Sequence, residues 1–511
     1  MATTLNFKDI IDLPEWRPLA AAPSATTAGK CICSDLRNNE MRHPEIFYLS
    51  STTAVFTYHI KNDGWATLSS PALAGTFAVG AACVFSTRGP RGVLAAGATP
   101  TVMTLSTALP AAVAVGGLSG RGDGQGFWIR IVDNIAGGVG KTEMRQIVAN
   151  TGGTQPVITL DSPLSFTPRT GAAYEMLSGR VYYLNAGTVA TNIFKYFDIA
   201  TNSLVAGATT NLPTTITTDS SFVMLDEEYV PAALSPGDGF FGTLTATAAG
   251  ATSLTGQAAA GDAVVAADEY RNFQIRIVED TSAPTAAGQR RRITTHTGGP
   301  SPVYTVPAWT VTPSANAKYV VENNCDLILF TSAVGTVYRY DEQANAWDTT
   351  TYAARGANMA AGCVSFQPFG LTLDTQRLVR HSHIYSWRGG AVTTLDLLDI
   401  AAGATGVWTN GIVYGNVATG PATVGAGLAY DGASNGGKFA YLQIDGSQAF
   451  YRFNAQTRQM NSWTQLRYTQ STAACGNKLA TVVFADGATK VGFLLAMINT
   501  GTPLFSCLLQ R

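Results

Sequence analysis

The stretch Tyr338-Arg339-Tyr340-Asp341-Glu342-Gln343-Ala344-Asn345-Ala346-Trp347 decides how this chain is read. Aromatic residues alternate with a polar one, a polar turn follows, and a large apolar residue returns. That pattern reads as a β-hairpin. Four other stretches repeat it. Phe56-Thr57-Tyr58 runs through Lys61-Asn62-Asp63-Gly64 to Trp65, and Phe194-Lys195-Tyr196 through Asp198 and Thr201-Asn202 to Leu204. Leu395-Asp396-Leu397 runs through Asp399 and Gly403 to Trp408, and Tyr451-Arg452-Phe453 through Asn454 and Asn461 to Trp463. A hairpin repeated in this way is the mark of a propeller blade.

Small apolar strands recur upstream of the hairpins: Lys30–Cys33, Ala82–Phe85, Phe222–Leu225, Cys363–Phe366, Gly427–Tyr430 and Ala480–Phe484. Small residues suit innermost strands, where blades crowd the axis. A second strand follows each: Ile46–Tyr48, Val181–Leu184, Leu327–Phe330, His383–Trp387, Phe439–Leu442 and Val491–Leu495. The sixth unit lacks a fourth strand, since only Leu504–Leu508 remains before Arg511. Glu15-Trp16-Arg17-Pro18-Leu19 has no hairpin partner of its own and is expected to complete that unit and remove its open edge.

The spacing of the closing residues locates two further domains. Trp347, Trp408 and Trp463 are separated by 61 and 55 residues, whereas Trp65, Leu204 and Trp347 are separated by 139 and 143. Each long gap therefore holds a small domain. The two extra segments match one another. Phe127-Trp128-Ile129-Arg130-Ile131-Val132 pairs with Phe273-Gln274-Ile275-Arg276-Ile277-Val278, Arg145-Gln146-Ile147 with Arg291-Arg292-Ile293, and Thr151-Gly152-Gly153 with Thr297-Gly298-Gly299. Thr167-Pro168 and Tyr174 answer Thr312-Pro313 and Tyr319. Both segments read as a small β-sandwich or barrel.

The expected fold is thus all-β: a six-bladed β-propeller closed by an N-terminal strand. Two homologous small β-sandwich or barrel domains are inserted in blades 2 and 3, on one propeller face. The propeller is discontinuous, over 1–86, 177–229 and 323–511, and the inserted domains span 87–176 and 230–322.

Composition narrows the class. The chain has 511 residues, is 46% hydrophobic and only 13% charged, about half the usual share. A net charge of −1 gives no global electrostatic case for nucleic-acid binding. Seven scattered Cys read as small buried apolar residues rather than a disulfide framework, and Cys31-Ile32-Cys33 is not a metal or redox motif. The N-terminus has no secretory signal pattern, and Val491–Met497 is too short to span a bilayer.

Several local motifs resemble chemistry. Gly137-Gly138-Val139-Gly140-Lys141-Thr142 looks like a phosphate loop, but Ile135 stands where its first Gly belongs and a strand follows. Arg121-Gly122-Asp123 fits a Gly-rich loop. His381 and His383 share a strand face without a third metal ligand. Asp226-Glu227-Glu228 reads as a solvated junction, because adjacent acids on an extended chain point apart. Gln289-Arg290-Arg291-Arg292 reads as a solvated strand face, with contact to nucleic acid or a partner's carboxylates as the alternative. No catalytic, cofactor-binding or metal-ligating residue is assigned, and an enzyme is not expected.

The units resemble kelch-type blades without the paired-Gly start. The inserts, with Ile275–Val278, Gly288-Gln289-Arg290-Arg291, Thr297-Gly298-Gly299 and Pro307-Ala308-Trp309-Thr310, resemble small β-modules of tailed-phage structural proteins. In the first insert Thr142-Glu143-Met144-Arg145 stands in place of the second of these motifs. Together they resemble a propeller-bearing tail protein, of nozzle or tail-hub type, from a short-tailed bacteriophage. The resemblance implies a non-enzymatic virion protein in a homohexameric ring around the DNA exit channel. Its implied partners are adaptor and tail-fibre proteins and genomic DNA passing without base-specific contact. It would be made in the host cytoplasm and reside in the virion tail, with no membrane-spanning segment. The alternatives are a receptor-binding, adhesion or fibre-attachment propeller, and a propeller enzyme acting on carbohydrate.

Overall fold

A computed structural model describes residues 16–23, 31–34, 45–49, 54–59, 62–68, 77–120, 126–134, 140–190, 193–207, 211–225 except 217, 244–257, 267–322 except 269 and 272, 326–341, 346–368, 383–400 except 391–393, 402–412, 427–430, 439–443, 449–465 except 456, 479–497 except 487–488, and 504–508. The protein is all-β, with small antiparallel sheets throughout.

Among the described residues eight of the nine sheets have four strands each, and six of these share one pattern. The first runs Cys31–Ser34, Glu45–Leu49, Val55–His59, Gly64–Thr67. The second is Ala82–Ser86, Arg180–Leu184, Phe194–Asp198, Ser203–Ala206, and the third Ser220–Met224, Leu327–Thr331, Val337–Asp341, Ala346–Asp348. The fourth is Val364–Phe366, His383–Trp387, Leu395–Asp399, Val407–Thr409, and the fifth Gly427–Tyr430, Phe439–Gln443, Ala449–Asn454, Gln459–Gln465. The sixth takes Leu479–Asp486, Thr489–Met497 and Leu504–Leu508 from the C-terminal part and Trp16–Leu19 from the N-terminal part.

Burial falls along each sheet. Cys31–Ser34 and Leu327–Thr331 are buried at every position, whereas Gly64–Thr67 and Val407–Thr409 are half-buried to exposed. Strands covered on both faces need continuous apolar sequence, and the inner strands have it. The first strands of successive sheets lie side by side, from Cys31–Ser34 through to Leu479–Asp486, which lies beside Cys31–Ser34. An apolar layer fills each gap between neighbouring sheets. Cys31, Cys33 and Cys83 sit with Phe47, Phe85 and Tyr183 between the first and second. Ile32, Tyr48 and Tyr58 meet Leu495 and Met497 between the first and sixth. Each large side chain fully buried in such a layer stabilises the fold by roughly 1.5–3 kcal/mol. Burial, together with its neighbours Cys31 and Cys33, pushes the Cys83 thiol well above its ordinary pKa, and all three are free thiols.

Trp16–Leu19 pairs antiparallel with Leu504–Leu508, Trp16 opposite Cys507 and Leu19 opposite Leu504. Glu15 lies outside the described residues. The Trp16 ring stands 4.6 Å from that of Phe450 in the fifth sheet. Ala20, which follows this strand, is held from both sides: its N–H donates to Asp63 (2.7 Å) and its carbonyl accepts from the Trp65 indole (2.9 Å). Ala353, which follows the fourth strand of the third sheet, accepts from the Trp408 indole in the same way (2.9 Å). Fourth-strand tryptophans thus bind the incoming chain at both places.

The segments between the first and second strands of the second and third sheets have sheets of their own. The earlier one is six-stranded, in the order Arg91–Val93, Ala173–Leu177, Trp128–Asn134, Gly140–Asn150, Val157–Leu160, Val102–Thr104. Its edges meet where Leu94 bridges Leu105 and Ser106 N–H donates to Val93 (2.9 Å). The later one divides the same order over two sheets: Leu244–Thr245, Lys318–Glu322, Gln274–Glu279, Arg290–Arg292, and then Thr295–His296, Val303–Thr305, Ser253–Thr255, Ala248–Gly250. The division falls where Gly140–Asn150 has a register shift between Ile147 and Ala149. An irregularity absorbed within one strand of the earlier segment separates two short strands in the later.

Equivalent residues make equivalent bonds. Ile147 N–H donates to Phe127 and Ile293 N–H to Phe273, both at 2.8 Å. Val157 N–H donates to the Thr151 hydroxyl at 2.8 Å, and Val303 N–H to that of Thr297 at 2.9 Å. The segments touch one another: Val278 and Val320 of the later pack against Ala173 of the earlier.

Candidate functional site

A polar cleft of about 220 Å³ opens where the two segments meet the third sheet. Its floor is built around Asp326, immediately before the strand Leu327–Thr331. The Asp326 carboxylate lies 2.8 Å from Arg339 and 3.8 Å from Arg292, and accepts from the Tyr352 hydroxyl at 2.5 Å. Burial pushes its pKa up, but Arg339, Arg292 and the Tyr352 hydrogen bond outweigh burial and hold it below the usual carboxylate range. Burial first, then the Asp326 charge, pushes the Tyr352 phenol up, so this hydroxyl stays a neutral donor. Burial alone would lower Arg339, yet Asp326, Tyr352 and Asp341 raise it above its ordinary value.

Arg339 alternates with Tyr338 and Tyr340, so its side chain leaves the strand on the opposite face from theirs. Its second nitrogen lies 3.0 Å from Asp341 and 3.6 Å from Asp348. Asp348 accepts from the Thr350 N–H (2.7 Å) and hydroxyl (2.8 Å) and from the Thr351 hydroxyl. Burial raises the Asp348 carboxyl, but the bonds from Thr351 and Thr350 and the Arg339 charge bring it below the usual range.

The walls come from the two segments. Arg290 approaches Glu175 at 3.7 Å, and Glu175 is held by Arg130 at 2.8 Å. Arg130 and Glu175 belong to the earlier segment and Arg290 to the later, so this contact crosses between them. Arg292 donates to the Thr351 hydroxyl (2.9 Å) and lies 5.4 Å over the Tyr352 ring. A guanidinium over an aromatic face gains roughly 0.5–2 kcal/mol as it is desolvated. Arg88 and Arg91, which follow the first strand of the second sheet, complete the lining.

This corrects the expectation that Arg290–Arg292 forms a solvated face. Arg291 is buried and its two neighbours are half-buried. Arg291 turns into its own segment, donating to the Ala308 carbonyl (2.9 Å) and the Thr310 hydroxyl (3.0 Å). Arg290 and Arg292 point the other way, into the cleft. Sequence reasoning saw the alternation but not the surface awaiting it, because Asp326, Arg339 and Arg88 lie far away along the chain.

Gly140, Lys141 and Thr142 begin the long strand Gly140–Asn150, so no helix N-terminus is available there to cradle phosphate. Residues 137–139 of that motif, Arg121-Gly122-Asp123, Asp226-Glu227-Glu228 and His381 lie outside the described residues. His383 sits on the strand His383–Trp387 with a ring nitrogen 3.7 Å from Asp399. Among the described residues no group of three His, Cys, Asp or Glu is arranged to hold a metal ion, and no helix is long and apolar enough to cross a membrane.

No protein family matches the chain, and no curated protein does. Among solved structures it is similar to a structural-genomics protein of unknown function from Bacteroides thetaiotaomicron, at 11% identity and a TM-score of 0.21. The match covers 49% of this chain and 66% of that one.

Proposed function

We propose that the six four-stranded sheets are blades of a closed six-bladed propeller, sealed by Trp16–Leu19. The segments 87–176 and 230–322 are then two copies of one inserted small barrel-like domain, on one face of the propeller. The protein is a non-enzymatic structural subunit of a phage tail, of nozzle or hub type, in a homohexameric ring around the DNA exit channel.

The observation that carries this reading is the line of charges joining the parts. Arg130, Glu175 and Arg290 link the two inserts, and Arg292, Asp326 and Arg339 link the second insert to the third blade. Arg271 adds a tie from the second insert to the Gly403 carbonyl of the fourth blade. Such an arrangement fixes the inserts on the propeller and suits a part that bears load within a larger assembly. The low charge content leaves wide Ala, Thr and Gly surfaces for the two different patches each subunit of a cyclic ring must bury. The resemblance of the blades and inserts to tail proteins supplies the tail context and the copy number.

Mass photometry of the purified chain, and cryo-EM of isolated tails, test the reading. A closed ring of six around an axial channel is expected. A monomer absent from particles, or a hydrolase activity lost on replacing a clustered acidic residue, overturns it.

A further inference from the structure

We propose that His296 is a pH-sensitive peg in the later segment: a proton added to its ring loosens the turn that carries Asp268, Tyr270 and Arg271, and with it the tie from that segment to the fourth sheet. This inference does not depend on the tail reading.

His296 is buried on the short strand Thr295–His296. Its Nε2 accepts from the Tyr270 N–H at 2.7 Å, and its Nδ1 lies 2.9 Å from the Thr297 carbonyl. An N–H only donates and a carbonyl only accepts, so the ring is neutral and its one proton sits on Nδ1. A second proton has one place to go, the Nε2 lone pair that holds Tyr270. Adding it sets two N–H groups against each other, breaks that bond and strands a buried main-chain donor.

The earlier segment builds the same joint without a titrating group. Gly116 N–H donates to the Asn150 carbonyl (3.0 Å), Leu118 N–H to the Asn150 side-chain oxygen (2.8 Å), and the Asn150 amide to the Thr151 carbonyl (2.7 Å). In the later segment Asp268 N–H donates to the His296 carbonyl (3.1 Å), Tyr270 N–H to the ring, and the ring to Thr297. Gly116 and Asp268 both take positive φ, 75° and 61°. A side-chain amide keeps its donor and acceptor through the physiological pH range, whereas an imidazole keeps them only while neutral.

Among the described residues, the titratable and charged groups around the ring are Asp268, Arg271, Tyr270 and Tyr304. Asp268 accepts from the His296 main-chain N–H (2.8 Å) and is paired with Arg271, so its attraction for a protonated ring is offset by the guanidinium. The Tyr270 and Tyr304 rings, both buried, stand 5.5 and 5.3 Å from the imidazole. Arg271 also donates to the Thr294 carbonyl (3.2 Å) and to the Gly403 carbonyl of the fourth sheet's outer hairpin. Opening the turn at Tyr270 unseats the residue beside it, which makes that tie. In the unfolded chain a histidine takes up its proton near pH 6.5. The folded joint resists that proton, so its contribution is present above this pH and begins to be lost as pH falls below it.

The test follows hydrogen exchange of the full chain at Tyr270 and Arg271, corrected for intrinsic rates, at about pH 7.5 and about pH 5.5. The variant His296→Asn copies the earlier segment and removes the titrating group. Exchange in the wild type should quicken roughly tenfold or more at the lower pH, and in folded His296→Asn it should not change. If His296→Asn does not fold, Asn150→His decides: an acid response acquired at Leu118 supports the proposal, and unchanged protection there overturns it. A wild type equally protected at both pH values, or a folded His296→Asn that keeps the acid response, also overturns it.

Discussion

Arg145 and Arg291 hold the same place in two segments of one chain. Each donates from Nε to a main-chain carbonyl, Pro163 at 3.3 Å and Ala308 at 2.9 Å, and from a terminal nitrogen to the carbonyl of the residue before it. Each also reaches the side chain two residues earlier, Glu143 in one case and Gln289 in the other.

Exchanging that partner tests how far the two places are alike. Gln289 accepts from Thr310 N–H (2.8 Å) and donates to the carbonyls of Ala286 (3.1 Å) and Val311 (2.7 Å). Glu143 accepts from the Ser165 N–H but has no such donors. Gln289→Glu should keep the accepting side and lose the donating side, costing about 1–2 kcal/mol. Gln289→Ala should cost more. Urea denaturation of both variants gives the comparison, and equal losses contradict it.

Trp16–Leu19 is expected to be required for cooperative folding. Deleting residues 1–20 should lower soluble yield or broaden the unfolding transition. Trp16→Ala, at a half-buried ring packed on Phe450, should cost about 2–3 kcal/mol, below the range for a fully buried tryptophan. A truncated chain with an unchanged melting transition would show that the strand is dispensable.

The pair Arg355–Asp396 has side chains 0% and 2% exposed. Asp396 also accepts from Gly411 N–H (2.9 Å), and Arg355 lies 5.3 Å over the Trp408 ring. Removing one partner strands a buried charge, so Asp396→Ala should cost about 3–5 kcal/mol. Arg355→Met/Asp396→Leu should lose less than the single variant, since a buried pair is often replaceable by apolar residues. Chemical denaturation of the three proteins decides between these outcomes.

Asp326 gives the pH dependence its sign. Its folded pKa lies below the unfolded value because the Arg339, Arg292 and Tyr352 contacts outweigh burial. Its stabilisation is therefore fully present above the unfolded pKa of about 4 and is lost as pH falls through the folded pKa. Wild type should lose stability below about pH 4, and Asp326→Asn, weaker at neutral pH, should lose less over that interval. Denaturant midpoints at stepped pH values measure the difference. Parallel curves would assign the acid sensitivity to other groups.

Local pattern carried much of the architecture. Tyr338-Arg339-Tyr340 followed by Trp347 is visible as a hairpin because side chains alternate across a strand, and Val337–Asp341 pairs with Ala346–Asp348 accordingly. The matched Ile-Arg-Ile-Val stretches placed Ile131 and Ile277 in the cores of their segments, where both are fully buried. The cleft was not legible in the same way. Its residues are brought together by sheet order and by contact between the segments, and neither leaves a local periodicity. The one available signal was the contrast of Arg290 and Arg292 with Met144 and Gln146 at matched positions.

The sixth sheet sets a schedule for biosynthesis. Trp16 emerges from the ribosome 491 residues before Cys507, which lies opposite it. The other sheets can pair as their own strands appear, whereas this one must wait until Leu504–Leu508 has been made. Until then the nascent chain carries an unmatched early strand, Trp16–Leu19, and an unfinished edge at Thr489–Met497. Each is a template for pairing with another chain. A product stopped short of Leu504 would keep both, so premature termination, more than any single substitution, is the event that should turn this protein towards aggregation.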